Sequence, residues 1–254
     1  MCGRFALTAS PDEIAEILAL LELDGFPPRY NIAPTQPILI VKAGERAGNR
    51  SGRVAALVRW GLVPSWVKDL KAFPLLFNAR ADSVADKAAF RAAMKYRRCL
   101  VPASGFYEWR RVGKAKPKPF YLKPRDARPF AFAGLWESWQ SPEGSELDSA
   151  AIVTTDANAT LAPIHSRMPV VIQPESYERW LDTRAYPAAD VLDLLVPAND
   201  TFFEAIPVSD KVNKVANMGP DLQTPLNPDE APLEPLAAAP DAASDVAPAQ
   251  RELF

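Results

Sequence analysis

The second residue of the chain, Cys2, is the residue with the most unusual possible reactivity. Removal of Met1, which a residue as small as cysteine allows, would leave an α-amine and a thiol on the same residue. An α-amine titrates near ~7.7 to 8.0 and a thiol near ~8.5, so both are close to being nucleophiles at neutral pH. Such a residue can trap an aldehyde twice, first as a Schiff base and then as a five-membered thiazolidine. The alternative is a small hydrophobic residue at a mobile terminus.

His165 is the only histidine and lies in a polar segment bounded by Pro163 and Pro169, before a predicted strand. This position suits a general acid or base in a site loop, although a single histidine is often a structural residue. Cys2, Cys99 and His165 offer few soft ligands and no characteristic spacing, so we predict no metal site. Glycine-rich nucleotide motifs and CxxC pairs are absent from the sequence, and we predict no cofactor.

Glu108 lies in an alternating run that predicts a strand with Phe106, Glu108 and Arg110 on one face and Tyr107 and Trp109 on the other. A carboxylate beside Phe106 would be partly desolvated, which favours proton transfer. The alternative is an ordinary cross-strand ion pair with Arg110 or with a lysine of the next strand.

Asn78 and Arg80 lie between an apolar stretch and a predicted helix that Asp82 or Ser83 would cap. An asparagine amide can donate to and accept from a reacting centre, and an arginine can hold a phosphate through two hydrogen bonds. Trp66 lies in a predicted loop, where its ring could stack on an unpaired base or pack half-buried against the protein.

The predicted elements that must position these residues are short strands with few helices. Ser10 starts a helix of about three turns with a capping box formed with Glu13. Residues 37–42 and 54–60 form a predicted hairpin, and residues 82–98 a second helix that leads into a strand at 99–102. Further strands are predicted at 105–110, 118–122, 130–135, 150–155 and 168–172. This pattern indicates an α+β fold, one domain over residues 2–219 with a curved, mostly antiparallel sheet or open barrel flanked by a few helices.

Composition narrows the class of protein. The chain has 254 residues, 48% of them hydrophobic, enough for a substantial core, and two cysteines are too few for a disulfide framework. We find neither a secretion signal nor an apolar stretch near the ~20 residues that span a bilayer, and predict a cytoplasmic protein with no membrane contact. Residues 221–254 hold seven of the 31 acidic and one of the 29 basic residues, which leaves a net +4 on residues 1–220. A mildly basic body suits a polyanionic partner.

Residues 220–254 are predicted to be a disordered tail, because up to Ala249 they are rich in proline, alanine and acidic residues without hydrophobic periodicity. The last five residues include Gln250, Leu253 and Phe254, a pattern that resembles the peptides with which bacterial repair proteins bind the sliding clamp. Five residues match easily by chance, and a terminus without function is the alternative.

Six blocks together resemble the SRAP family, the SOS-response-associated peptidase-like proteins, over about residues 2–218. They are Met-Cys-Gly-Arg-Phe at the start, Arg29-Tyr-Asn-Ile-Ala-Pro34, Trp60-Gly-Leu-Val-Pro64, Phe77-Asn-Ala-Arg80, Arg98-Cys-Leu-Val-Pro-Ala-Ser-Gly-Phe-Tyr-Glu-Trp109 and Ile164-His-Ser-Arg-Met-Pro169. The resemblance implies a monomeric, nucleoid-associated protein of the SOS response that shields abasic sites in single-stranded DNA.

The resemblance also implies roles for individual residues. Cys2 would form a thiazolidine with the sugar aldehyde, Asn78 would orient the adduct, Glu108 would deprotonate the amine, and His165 would act as acid and base in ring opening and in reversal or lyase activity. The DNA-facing residues would be Arg4, Trp66, Arg80 and Arg167. Peptidase activity is doubtful, because the leader here is only Met1.

Two other functions fit some of the same residues. In a peptidase or amidase with an N-terminal nucleophile, Cys2 would attack an amide, with His165 as base and Asn78 as orienting group. In a non-enzymatic single-strand binder that uses Trp66 and the arginines, Cys2 would be dispensable.

Overall fold

The computed structural model describes residues 2–20, 23–44 and 52–226, and these form one α+β domain. The strands are β1 Phe5–Leu7, β2 Arg29–Ile32, β3 Pro37–Ala43, β4 Arg53–Trp60, β5 Asn78–Arg80, β6 Arg98–Ala103, β7 Gly105–Arg110, β8 Lys118–Pro124, β9 Phe130–Gln140, β10 Glu146–Asp156, β11 Arg167–Pro169, β12 Val171–Ile172 and β13 Phe203–Pro207. The α-helices in these residues are α1 Pro11–Ile17, α2 Ala88–Tyr96 and α3 Tyr177–Leu181. Short 3-10 helices cover Pro174–Ser176, Ala188–Leu194, Asp210–Asn213 and Pro220–Gln223.

The strands form two sheets. The first is antiparallel, with the order β13-β8-β7-β1-β2. In the second, β9 pairs with both β6 and β10, so β9, β10, β4, β3 and β6 close into a ring. The pairings of β10 with β4 and with β5 are parallel, and the other pairings are antiparallel. The predicted curved, mostly antiparallel sheet is confirmed, and its pairings extend to a closed barrel.

Aromatic side chains join the two sheets. Phe5 of β1 meets the Trp60 ring edge-on at 5.1 Å and the Phe132 ring at 6.0 Å, and Phe106 of β7 also meets Phe132 at 6.0 Å. Such pairs contribute about 0.5–1.5 kcal/mol each beyond the burial of their area. All four rings are fully buried. The segment that begins at Cys2 is therefore anchored in the core three residues later.

The helices differ from the sequence predictions at their ends. The capping box of Ser10 and Glu13 is present, but α1 has seven residues, about two turns, and Ala19 follows it with a left-handed φ of 50°. The helix of about three turns predicted from Ser10 would include Leu21, which lies outside the described residues. The predicted helix at 82–98 is wrong in its start, since α2 begins at Ala88 with Lys87 as N-cap. The predicted cap residue Asp82 is instead held by the Arg80 guanidinium.

The last described residues correct the predicted start of the tail. Residues 220–223 form a 3-10 helix, and Leu222 is buried with Tyr107, Tyr121, Val208 and Val212 on the outer face of the first sheet. The ordered domain thus continues past residue 219, because this sheet has an apolar outer face to cover. Residues 227–254, which include Gln250, Leu253 and Phe254, lie outside the described residues.

Candidate functional site

Cys2 is held between the two sheets. The Tyr107 amide of β7 donates to the Arg4 carbonyl at 2.9 Å, which extends the β1–β7 pairing toward the start of the chain. The Asn78 side chain at the start of β5 donates from Nδ2 to the Cys2 carbonyl oxygen at 3.0 Å. Cys2 is only 1% exposed, and its Sγ lies 3.9 Å from the Arg4 carbonyl oxygen. The alternative of a mobile terminal residue is therefore wrong from Cys2 onward.

Asn78 is itself buried, at 5% exposure. Its Nδ2 is used by the Cys2 carbonyl, whereas its Oδ1 has no hydrogen-bond partner within the described part of the chain. A buried acceptor without a donor costs about 1–3 kcal/mol. This orphaned oxygen beside Cys2 can accept a hydrogen bond from a hydroxyl or amine of a bound reactant.

Glu108 extends the site on the β7 side. The predicted alternation is confirmed, since Phe106 belongs to the main core while Tyr107 and Trp109 belong to the cluster on the outer face. Glu108 is 2% exposed, and its cross-strand neighbour in β8 is Phe120. Burial raises the pKa of the Cys2 thiol well above its usual range, and the nearby Glu108 carboxylate raises it further. At neutral pH the thiol is therefore protonated.

His165 lies in the loop before β11, half-buried. Its Nδ1 is 3.0 Å from the Arg167 amide nitrogen and 3.2 Å from the Arg167 carbonyl oxygen. A neutral ring accepts the N–H at Nδ1, and a protonated ring can donate to the carbonyl, so the same residue serves both protonation states. Burial lowers the pKa of His165, while the Glu108 carboxylate acts in the opposite direction. His165, like Cys2, is thus within electrostatic reach of Glu108.

Arg80 and Arg167 lie on the strands that flank β10 on opposite sides, since Thr154 pairs with both Arg80 and Pro169. Arg80 is half-exposed and binds Asp82 at 2.5 Å. Arg167 is 11% exposed and donates to the Thr154 carbonyl at 2.6 Å. Burial lowers the pKa of Arg167, and the positive charge of Arg80 contributes to this.

Trp66 and Arg4 have different surroundings. Trp66 is 55% exposed on the loop before β5 and meets the Phe73 ring edge-on at 5.8 Å. Arg4 donates to Asn31 Oδ1 and to the Val212 carbonyl, both at 2.8 Å. The Arg4 guanidinium therefore ties the start of the chain to the segment after β13, and its contact with DNA stays a prediction.

Asn31 is a structural residue that the sequence reasoning missed. It is buried in β2, and its Nδ2 lies within 3.3 Å of the carbonyl oxygens of Val212, Lys214 and Asn217. It lies in the block Arg29 to Pro34, one of the six that resemble the SRAP family, and this is the signal that could have identified it. Together with Arg4, it fastens the C-terminal segment of the domain beside Cys2.

Other features of the described residues lie away from this arrangement. A cavity of about 510 Å³ between α1 and the start of β9 is lined by none of the eight predicted catalytic or DNA-facing residues. In the described ranges, no three His, Cys, Asp or Glu side chains are grouped to hold a metal ion. None of the described helices has the length and apolar character to cross a membrane.

Comparisons with known proteins show the family of the chain. The family described as SOS response associated peptidase (SRAP) matches residues 1–215. The abasic site processing protein YoqW of Bacillus subtilis is 38% identical over 225 residues, covering 87% of this chain and 98% of the relative. The abasic site processing protein HMCES of Xenopus tropicalis is 31% identical over 261 residues, covering 87% of this chain and 77% of the relative.

Solved structures share the fold. A protein from Bacteroides thetaiotaomicron superimposes with a TM-score of 0.74 at 24% identity, covering 89% of this chain and all of that one. A phage-related protein from Bordetella bronchiseptica gives a TM-score of 0.65 at 29% identity, covering 82% of this chain and 94% of that one. On the family match and the identity with these relatives, the chain belongs to the SOS response associated peptidase (SRAP) family.

Proposed function

We propose that this protein shields abasic sites in single-stranded DNA by linking Cys2 covalently to the open-chain aldehyde of the abasic sugar. The observation that carries the proposal is the buried Cys2, held by Asn78 and within electrostatic reach of Glu108. The names of the relatives, abasic site processing proteins, support the same substrate. The proposal requires the removal of Met1.

The reaction joins one aldehyde to one aminothiol and releases one water. The Cys2 amine attacks the aldehyde carbon, the oxygen takes up a proton, and the hydroxyl leaves as water to give a Schiff base. The thiol sulfur then adds to the same carbon, its proton passing to a base, and the nitrogen ends as a secondary amine in the thiazolidine ring. Hydrolysis of the ring, with uptake of one water, reverses the link.

The amine attacks before the thiol because of the surroundings of the two groups. A protonated thiol is a poor nucleophile, and burial together with Glu108 keeps the Cys2 thiol protonated at neutral pH. The amine therefore attacks first, with Glu108 as the group that accepts its proton. His165 serves as the acid and base for the departing water and for sugar ring opening, because its pKa is lowered while the Arg167 peptide can accommodate both forms of the ring.

The surroundings of the Cys2 thiol do not favour an N-terminal cysteine peptidase or amidase. Such an enzyme needs a thiolate at neutral pH, which a neighbouring cation normally stabilises. Here burial and then the Glu108 carboxylate raise the pKa of the Cys2 thiol, and both outweigh the positive charge of the N-terminal amine, which lowers it. The relatives' names do not support a peptidase either.

The DNA strand runs across the site, held by Arg80 and Arg167 at its phosphates and by Trp66 at a base. These contacts fix the position of the strand without reading its sequence, which suits damage that occurs in any sequence. We further propose a monomeric, cytoplasmic protein associated with the nucleoid. A sliding clamp bound by Gln250, Leu253 and Phe254 would raise its local concentration at exposed template.

The experiment is incubation with single-stranded DNA that contains one abasic site, followed by denaturing electrophoresis. The wild type is expected to give a denaturation-resistant complex, and so is the matched control Cys99→Ala, because Cys99 is buried in the barrel. Cys2→Ala and a variant with one extra residue retained before Cys2 should give none, and Cys2→Ser at most a weaker link. A complex of equal yield from the variant with the extra residue would refute the thiazolidine.

A second comparison separates the roles. Glu108→Ala and His165→Ala should slow link formation or reversal by about 10²- to 10⁴-fold with little change in affinity for undamaged single strands. Arg80→Ala should weaken that affinity and slow the chemistry less. Equal losses of affinity and rate in all three variants would contradict this division.

A further inference from the structure

The turn between β7 and β8 carries a dense positive charge. Five of the nine residues 110–118, here called the basic hairpin, are cations and none is acidic: Arg110, Arg111, Lys114, Lys116 and Lys118. Lys116 forms an ion pair with Asp210. The other four have no ion pair with any residue of the ranges 2–20, 23–44 and 52–226. Within the described part of the chain, four cations of the hairpin thus have no ion-pair partner.

Two of these cations lie directly opposite each other. Arg110 pairs with Lys118 across the β7–β8 ladder, and like charges in this position destabilise a strand pair. The Arg110 guanidinium lies 5.4 Å from the centroid of the Phe120 ring, and its buried Nε has no hydrogen-bond partner among the described residues. An anion bound at the base of the hairpin would relieve both the repulsion and the unsatisfied donor.

The basic hairpin begins beside Cys2. Phe5 pairs with Phe106, and the Tyr107 amide donates to the Arg4 carbonyl, so the end of β7 runs alongside the start of the chain. With about 3.4 Å per residue, Arg111 follows roughly 14 Å beyond this last hydrogen bond. Arg110 also shares its strand face with Glu108, which influences the Cys2 thiol.

We propose that the basic hairpin binds phosphates of the DNA strand on one side of the abasic nucleotide. Arg80 and Arg167 hold the strand on the other side. The two basic groups come from the two sheets that meet at the Asn78–Cys2 hydrogen bond, so a DNA strand whose abasic sugar reaches Cys2 passes between them. This inference rests on the proposed function and extends its DNA-binding surface.

The first test compares Arg111→Ala/Lys114→Ala with a matched control, Arg125→Ala/Arg128→Ala. The control removes two exposed charges beyond the opposite end of β8, roughly 20 Å from the hairpin. Each lost contact with a single strand should lower the log–log salt slope of binding by about 0.7, which is about fivefold in affinity at 0.1 M salt. The hairpin variant should therefore bind undamaged single strands about 25-fold more weakly, and the control should bind as the wild type does.

A second variant distinguishes binding from folding. Lys118→Glu replaces the repulsive pair with an attractive one opposite Arg110, so it should raise the thermal midpoint while weakening DNA binding. A variant that merely damaged the fold would lower both. Loss of DNA affinity accompanied by a lower midpoint would count against the proposal.

The strand polarity is tested with two oligonucleotides in which the abasic site lies two nucleotides from the 5′ end or two from the 3′ end. The hairpin variant should slow crosslinking of only one of them, and Arg80→Ala should slow the other. Unchanged DNA affinity and crosslinking in the hairpin variant would overturn the inference. The same result is expected if the partner of the basic hairpin is an acidic protein and not DNA. If the wild type itself formed no crosslink, the proposed function would fail instead.

Discussion

Replacing Asn78 with alanine should separate catalysis from stability. In the folded protein, Asn78 Nδ2 donates to the Cys2 carbonyl at 3.0 Å, and its buried Oδ1 is without a partner in the described residues. Asn78→Ala leaves the Cys2 carbonyl unsatisfied, which costs about 1–3 kcal/mol, but it also removes the unsatisfied Oδ1, whose burial costs a similar ~1–3 kcal/mol. These two contributions oppose each other, so the free energy of unfolding should change by less than about 1 kcal/mol.

The rate of link formation should fall much further. The lost amide both fixes the Cys2 backbone and offers Oδ1 to the reacting group, and the loss of one such preorganised group typically slows a reaction by about 10²- to 10³-fold. This corresponds to roughly 2.7–4 kcal/mol at ~1.4 kcal/mol per tenfold. Asn78→Asp is the isosteric comparison and should be less stable than the alanine variant, because an oxygen then replaces the donor that faces the Cys2 carbonyl.

The assay is single-turnover crosslinking to abasic single-stranded DNA, with urea unfolding of the same samples. An alanine variant that unfolds several kcal/mol more easily yet crosslinks at the wild-type rate would show that Asn78 is a structural residue only.

Three further predictions concern other parts of the molecule. The free energy of unfolding should fall as the pH drops below about 6.5, by at most ~1.4 kcal/mol per pH unit, because the unfolded chain protonates His165 while burial lowers its pKa in the folded protein. His165→Gln should remove this pH dependence. Equal losses of stability in the wild type and the variant, measured by urea titration, would contradict the prediction. Asn31→Ala should lower the calorimetric midpoint, because Arg4 and three backbone carbonyls lose their partner; an unchanged midpoint would disprove this anchoring role. A peptide of residues 245–254 should bind a bacterial sliding clamp with a micromolar Kd, about −8 kcal/mol, as measured by calorimetry. The double substitution Leu253→Ala with Phe254→Ala should abolish this binding, and unaltered binding would contradict the clamp hypothesis.

Local patterns predicted much of the fold. The strand at 105–110 has the predicted bounds, because its alternating residues face two different apolar clusters. The capping box at Ser10 was also predictable, since both partners lie within one turn. The start of α2 was not, because the Arg80–Asp82 ion pair removes the predicted cap residue. The closure of the barrel also depends on pairings between distant strands, which no local pattern specifies.

The sequence proposed residue types for the candidate site but little of its geometry. Cys2, Glu108 and His165 were proposed as site residues from their chemistry, and the family resemblance implied their roles. The hydrogen bond from Asn78 to the Cys2 carbonyl joins residues 76 positions apart, so only the folded structure reveals it. The hydrogen bond from the Arg4 guanidinium to the Val212 carbonyl could not be predicted for the same reason, since the two residues are 208 positions apart.

The most direct test of the covalent link at Cys2 is intact mass spectrometry of the complex with a short abasic oligonucleotide. We expect a mass equal to that of the protein without Met1 plus the oligonucleotide, less one water. The chain has two cysteines, so alkylation of the denatured complex should add one group, at Cys99, whereas the free protein should take two. A denatured complex that accepts two alkyl groups, or one whose linked peptide lacks Cys2, would contradict the thiazolidine.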